Sequence, residues 1–178
     1  MQHNHLEQKI AKINSVTPKL DDFLQNGFDI NYAQAFISDY ILEYKKQCNE
    51  TEVELFELFK LNVQYKRFSI IGNIMLTEIE EYEDFYKIGH HESDLIILIK
   101  STEEIAILDH EDFEIREFIS ENFEVFLDLI PILISYDKLG YLGKEYTTDI
   151  KNKTLEEVKK ILKSEKYYSF FSYSLMGE

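Results

Sequence analysis

The spacing of apolar residues predicts helices in the first part of the chain. Between positions 31 and 47 apolar side chains recur every three or four residues, which places them on one face of a helix. We expect Asn31 to cap this helix. A second helix is predicted from Thr51 to about Leu61, because Thr51 and Glu54 have the spacing of a capping box. Residues 1–65 are therefore expected to form a helical N-terminal region.

Shorter apolar runs predict a sheet in the middle of the chain. The candidate strands are residues 67–71, 85–89, 94–100 and 104–109. The run 94–100 is apolar without alternation, so we expect it to be central and buried on both faces. Loops of about four residues join the last three strands, and such short loops favour an antiparallel meander. Before them, Thr77 and Glu80 predict a brief helix that ends near Asp84.

Helical patterns return after the predicted sheet. Ser120 is the expected N-cap of a helix whose apolar stripe is formed by Ile119, Phe123, Phe126, Leu127 and Ile130. Pro131 lacks an amide hydrogen, so this helix should stop or kink near it. Thr154 with Glu157 predicts a further helix to about Lys163.

The end of the chain is rich in aromatic residues, and the segment 167–173 fits either a strand or a helix. It is either part of the core or a contact surface for a partner or a second copy. The order of elements indicates one α+β domain over residues 1–178, with helices flanking an antiparallel sheet.

The distribution of charge bears on function, because it indicates which kinds of partner the protein can bind. The net charge is -15, and residues 78–128 contain 17 acidic residues against only Lys87, Lys100 and Arg116. The rest of the chain is nearly neutral. An acidic surface would repel nucleic acid and attract basic proteins. The same surface could instead serve only to keep the protein in solution.

The sequence argues against a membrane-spanning protein and against a disulfide-stabilised one. No apolar run reaches the roughly 18 residues of a membrane span, and the first residues lack the layout of a signal peptide. We therefore expect a cytoplasmic protein that does not bind a membrane. Cys48 is the single cysteine, so it can form no disulfide within the chain.

Four segments carry a resemblance to a known family. They are residues 76–79, residues 85–89 followed by 94–96, residues 104–110, and residues 119–127. Their order and spacing resemble the short lead segment, the Ile-Gly hairpin, the next strand with its acidic turn, and the Phe-x-x-Phe-Leu helix of the SUKH superfamily. That group holds bacterial toxin-immunity proteins and fungal regulators of cell-wall synthesis. The chain departs from the family pattern upstream, where only Asn26-Gly27 corresponds to the usual Asn-Gly-Gly turn.

The resemblance implies an α+β fold without catalytic residues or cofactors. For the bacterial members it implies neutralisation of a cognate toxin that is frequently a nuclease. We therefore expect an immunity-type protein that binds a basic partner, and the residues expected at the contact are Glu103, Glu104, Asp109, Glu111, Asp112 and Glu114. The alternative is a regulatory scaffold that binds an endogenous protein. The sequence leaves the oligomeric state open.

A metal-dependent enzyme is the third possibility. The strand ends carry His90, His91, Asp94, Asp109, His110, Glu111 and Asp112, and such side chains can bind a divalent metal. Their spacing matches no metal-site signature, so we expect neither a metal nor a catalytic site.

Overall fold

The computed structural model describes residues 2–46, 53–72 and 74–176. The elements in chain order are α1 (Gln2–Val16), α2 (Leu20–Leu24), α3 (Ile30–Ile37), a 3₁₀ turn (Ser38–Tyr40), β1 (Glu43–Tyr44), α4 (Leu55–Asn62), β2 (Val63–Gln64), β3 (Phe68–Ile71), β4 (Ile74–Glu81), β5 (Phe85–His91), β6 (Asp94–Ile99), β7 (Ile105–Leu108), β8 (Ile115–Ser120), α5 (Phe123–Tyr141), α6 (Thr148–Ile161) and α7 (Glu165–Met176). The predicted α+β class with a helical N-terminal region is confirmed.

The main sheet has six strands in the order β3-β4-β5-β6-β7-β8, and all neighbours are antiparallel. The predicted meander is therefore confirmed. Strand β6 lies inside the sheet, and Ile96, Ile97 and Leu98 are all buried although they alternate between its faces. The prediction of a central strand with two apolar faces is correct. A separate two-stranded ribbon pairs β1 with β2.

The helix predicted at residues 77–84 is wrong, because residues 77–81 belong to strand β4 and residues 82–84 connect it to β5. Ile74 and Leu76 alternate into the core, and Leu76 pairs with Phe68 on one side and with Gly89 on the other. Backbone pairing along both edges outweighs the local capping signal. Gly89 permits this pairing, since a Cβ at position 89 would lie only 2.2 Å from the carbonyl oxygen of Met75.

Strand β8 was not predicted, and it changes the start of the next helix. Ser120 ends β8, and the N-cap of α5 is Asn122, whose side chain accepts a hydrogen bond from the Val125 amide. Helix α5 continues through Pro131 to Tyr141, so the helix does not stop at Pro131, and the alternative of a kink there stays a prediction. The apolar helix face is buried before and after Pro131, and this burial outweighs one missing backbone hydrogen bond.

The N-terminal helices are shorter than predicted. Helix α3 is capped by Asp29 rather than Asn31, since the Asp29 carboxylate accepts hydrogen bonds from the amides of Asn31 and Tyr32. The chain leaves the helical conformation after Tyr40 and pairs as β1, so the predicted helix 31–47 ends early. The predicted cap Thr51 lies outside the described residues.

Two helices close the C-terminal part. The cap of α6 is Thr147, and the predicted cap Thr154 lies within the helix, where its hydroxyl donates to the Ile150 carbonyl. The segment 167–173 is part of helix α7, so the helix, and not the strand, is the correct one of the two predicted alternatives. Its aromatic side chains Tyr167, Phe170 and Phe171 are buried.

The helices pack on one face of the main sheet. The larger apolar core joins α1, α4, α5, α6 and α7 to side chains such as Ile96, Ile105 and Ile107. A smaller cluster on the opposite face consists of strand residues. Within the described ranges, no helix combines the length and the apolar character needed to cross a bilayer.

Candidate functional site

The meander separates the six residues expected at the contact into two groups. Successive hairpin turns of an antiparallel sheet lie at alternate ends of the sheet. Glu103 and Glu104 lie in the β6–β7 turn, whereas residues 109–114 form the β7–β8 turn at the other end. The five residue steps along β7 from Glu104 to Asp109 span roughly 17 Å at about 3.3 Å per residue. The structure therefore brings together Asp109, Glu111, Asp112 and Glu114. Glu103 and Glu104 lie at the opposite end of the sheet from this group.

We call residues 109–117 the acidic tip. Glu111, Asp112, Glu114 and Glu117 are exposed there, and Glu111 has 82% of its side-chain surface open to solvent. In the parts of the chain that the structure describes, no cationic side chain lies within ion-pair distance of Asp112, Glu114 or Glu117. These carboxylates are therefore available to an external cation.

Hydrogen bonds fix the backbone of the acidic tip. The Asp109 carboxylate accepts from the amides of Glu111 at 2.7 Å and Asp112 at 3.3 Å, and the Asp112 carboxylate accepts from the Glu114 amide at 2.9 Å. The Asp109 amide also donates to the Glu114 carbonyl at 2.9 Å. Asp109 is 3% exposed, so it supports the turn from inside and does not contact solvent.

Arg116 connects the acidic tip to strand β6. Its guanidinium lies 2.9 Å from the Asp94 carboxylate and also pairs with Asp109. His110 adds a 2.9 Å contact between its Nδ1 atom and Asp94 Oδ1. The His110 hydrogen bond and the nearby Arg116 charge hold the pKa of Asp94 below its usual range. The buried carboxylates are thus compensated and structural.

The cluster around Arg116 brings together only some of the predicted metal ligands. Among the described residues, Asp94, Asp109 and His110 offer ligand atoms within 4.8 Å of one another. His90, His91, Glu111 and Asp112 do not belong to this group. Because Arg116 already pairs with both carboxylates, a divalent cation would have to displace a guanidinium that satisfies them.

An aromatic side chain at the acidic tip was missed by the sequence analysis. Phe113 is 61% exposed and has φ of 60°, in the left-handed region that bulky residues avoid. Ile115 follows with 43% exposure. The signal available in the sequence was the alternation of acidic and apolar residues from Asp112 to Ile115.

The two expected contact residues at the opposite end differ from each other. Glu103 is exposed in a left-handed conformation with φ of 62°. Glu104 is engaged internally, because its carboxylate pairs with Lys166 and accepts a hydrogen bond from the Tyr167 hydroxyl at 2.7 Å. Burial and the adjoining Glu104 charge raise the pKa of Tyr167 to about 12. Glu104 therefore ties α7 to the sheet.

A broad cleft of about 820 Å³ lies between the β1–β2 ribbon and strand β4. Its charged lining mixes Glu43 and Glu78 with Lys60 and Lys66, and the described lining contains neither histidine nor cysteine. The described lining of this cleft therefore offers neither an imidazole nor a thiol for catalysis.

The acidic tip is therefore the candidate site. No protein-family model, curated protein or solved structure matches this chain.

Proposed function

We propose that this chain is an immunity-type binding protein that neutralises a basic partner protein by covering it with the acidic tip. The observation that carries the proposal is the exposed group of Glu111, Asp112 and Glu114 on a turn that is already ordered, with exposed Glu117 on the adjoining strand β8. A cognate toxin, in particular a nuclease, is the partner that fits this chemistry. Surfaces that hold phosphates are basic, and a negative turn can occupy them.

The order of the turn favours tight binding. A flexible loop loses conformational entropy when it binds, and a loop held by its own hydrogen bonds loses less. The hydrogen bonds that the turn amides donate to the carboxylates of Asp109 and Asp112 provide this order. The partner would therefore meet carboxylates that are already in place.

The local charge excess supports rapid association. Residues 78–128 carry 17 acidic and three basic residues, and a field of one sign steers an oppositely charged protein toward it. Several of these acids are neutralised within the protein, as Glu80 is by Lys87 and Glu81 by Lys100. The exposed carboxylates of the acidic tip are the part of this charge that supports binding. The resemblance to the SUKH superfamily supports the same role.

The product of the gene next to this one in its genome provides the test. We expect purified chain to bind that product and to protect cells that express it. Binding should weaken at least tenfold between 50 and 500 mM salt, because screening removes the attraction between exposed charges. A triple variant with Glu111→Lys, Asp112→Lys and Glu114→Lys should lose protection and associate roughly 10 to 100 times more slowly.

A matched control separates the acidic tip from net charge. The same charge change at Glu7, Glu83 and Glu165, which are exposed acids outside the tip, should leave protection intact. Equal binding at both salt concentrations, with no effect of charge reversal at the tip, contradicts the proposal. A neighbouring gene that encodes no toxin contradicts the immunity role and favours a scaffold.

A further inference from the structure

The face of the sheet opposite the main helical core carries an apolar strip. Its members are Phe85, Leu95, Ile97, Ile99, Ala106, Leu108 and Phe118, all from strands β5 to β8. An antiparallel sheet with one packed face usually alternates apolar and polar residues, and the outer face is then polar. Here both faces of β6 and β7 are apolar. Helix α7 reaches this face at Phe118, where the Lys166 amine lies 3.6 Å from the ring centroid.

The apolar strip extends to the acidic tip. Leu95 pairs with Leu108, and Leu108 pairs with Ile115, so the three side chains form one row across β6, β7 and β8. In this row Leu95 is half-buried, Leu108 is buried and Ile115, on the edge strand β8, is 43% exposed. Phe113 at 61% exposure lies two residues before Ile115. Apolar surface therefore continues from the sheet to the exposed end of the molecule.

The backbone of Phe113 argues that this side chain is not retained for stability. A left-handed conformation is unfavourable for a residue with a Cβ, and glycine adopts it without strain. An aromatic ring that is mostly exposed recovers little of this energy by burial in its own fold. Strained, exposed residues of this kind occur at binding sites.

We propose that Phe113 and Ile115, which lie exposed at the end of the apolar strip, anchor a partner protein whose apolar pocket is ringed by lysine and arginine. This inference rests on the proposed function and names the kind of surface that the acidic tip recognises. Interfaces commonly place an aromatic anchor in a pocket and surround it with polar contacts. Glu111, Asp112 and Glu114 lie beside the anchor and match a basic rim.

Charge argues against the other occupants of this surface. A second copy of the chain would bring two proteins of net charge -15 together. Nucleic acid would be repelled by the same carboxylates. A basic partner with an apolar pocket satisfies both the acidic and the apolar part of the surface.

A library of random 12-residue peptides on phage, selected on the immobilised full chain, tests this inference. We expect the enriched peptides to combine lysine or arginine with large apolar residues. They should bind Phe113→Gly at least tenfold more weakly than the wild-type chain, and Phe113→Tyr should bind nearly as well as the wild type. The urea midpoint of Phe113→Gly should equal or exceed that of the wild type, because glycine relieves the backbone strain.

The outcomes separate this inference from the proposed function. Basic peptides that depend on Glu111, Asp112 and Glu114 but bind Phe113→Gly equally well overturn the anchor and leave the proposed function standing. A lower urea midpoint for Phe113→Gly also overturns it, since Phe113 would then support the fold. Peptides without a basic excess, or no enrichment, contradict the proposed function itself.

Discussion

Replacing Arg116 with methionine removes the cation shared by two buried carboxylates. The side chains of Asp94 and Asp109 are 9% and 4% exposed, and Arg116 pairs with both of them. Methionine keeps most of the aliphatic stem and deletes the charge and its hydrogen bonds. Asp109 would then keep its bonds to the turn amides, but both carboxylates would lie close together without a guanidinium.

The expected loss of stability follows from these contacts. A hydrogen bond to a charged group contributes about 1.5–3 kcal/mol, and Arg116 makes such contacts with two carboxylates. The Arg116 side chain is 55% exposed, so water can replace part of the lost interaction. We therefore expect Arg116→Met to lower the free energy of unfolding by about 2–4 kcal/mol near pH 7.

Urea unfolding at several pH values measures this effect. The pKa of Asp94 is lowered in the folded state, chiefly by the His110 hydrogen bond and also by the Arg116 charge. A lowered folded-state pKa contributes stability above the unfolded value of about 3.9, and this contribution is lost as the pH falls through the folded-state pKa. The difference between wild type and Arg116→Met should therefore be largest near pH 7 and shrink below about pH 4.

A surface ion pair provides the matched control. Arg67 is as exposed as Arg116, at 56%, but it pairs with a single carboxylate, Asp39, which is 19% exposed and lies 2.5 Å away. Arg67→Met should lose much less stability than Arg116→Met. An Arg116→Met variant that is as stable as Arg67→Met, or whose loss is the same at pH 7 and pH 3.5, would refute the reasoning.

Three further changes test the packing. Gly89→Ala should lower stability by about 2 kcal/mol or more in urea unfolding, because its Cβ would meet the Met75 carbonyl; a neutral effect contradicts the strand pairing. Lys9 is buried and its amine lies 2.7 Å from the Asp128 carboxylate. Lys9→Ala should therefore lower the free energy of unfolding by about 1–3 kcal/mol, and Lys9→Met should lower it less. Equal losses for the two variants would show that the aliphatic stem contributes nothing. Burial raises the pKa of Tyr40 to about 12. The free energy of unfolding should therefore fall as the pH rises from 10 through 12. Complete tyrosinate absorbance by pH 10.5 would contradict this burial.

Local patterns in the sequence predicted the meander but not its full extent. Strands β5, β6 and β7 were predicted because apolar runs with tight turns specify antiparallel pairing locally. Strand β8 was missed because residues 115–117 are exposed and mixed in character, and its extended backbone depends on pairing with β7. Strand β4 was missed because Thr77 and Glu80 have the spacing of a helix cap.

The candidate site, like the fold, could be predicted only in part from the sequence. The charge excess in residues 78–128 is a property of composition, so the sequence showed it directly. Which carboxylates are free depends on distant contacts that composition does not contain. Glu104 is neutralised by Lys166, which lies 62 positions away along the chain.

The sequence by itself determined the α+β class, the antiparallel meander and the acidic character of the middle third, because periodicity, turn length and charge are local properties. Only the tertiary structure decided that Asp109 faces inward while Asp112 faces solvent, and that Phe113 lies exposed beside them. These outcomes depend on Arg116 joining Asp94 to Asp109 and on the alternate placement of turns along the sheet, which arise when separate segments of the chain meet.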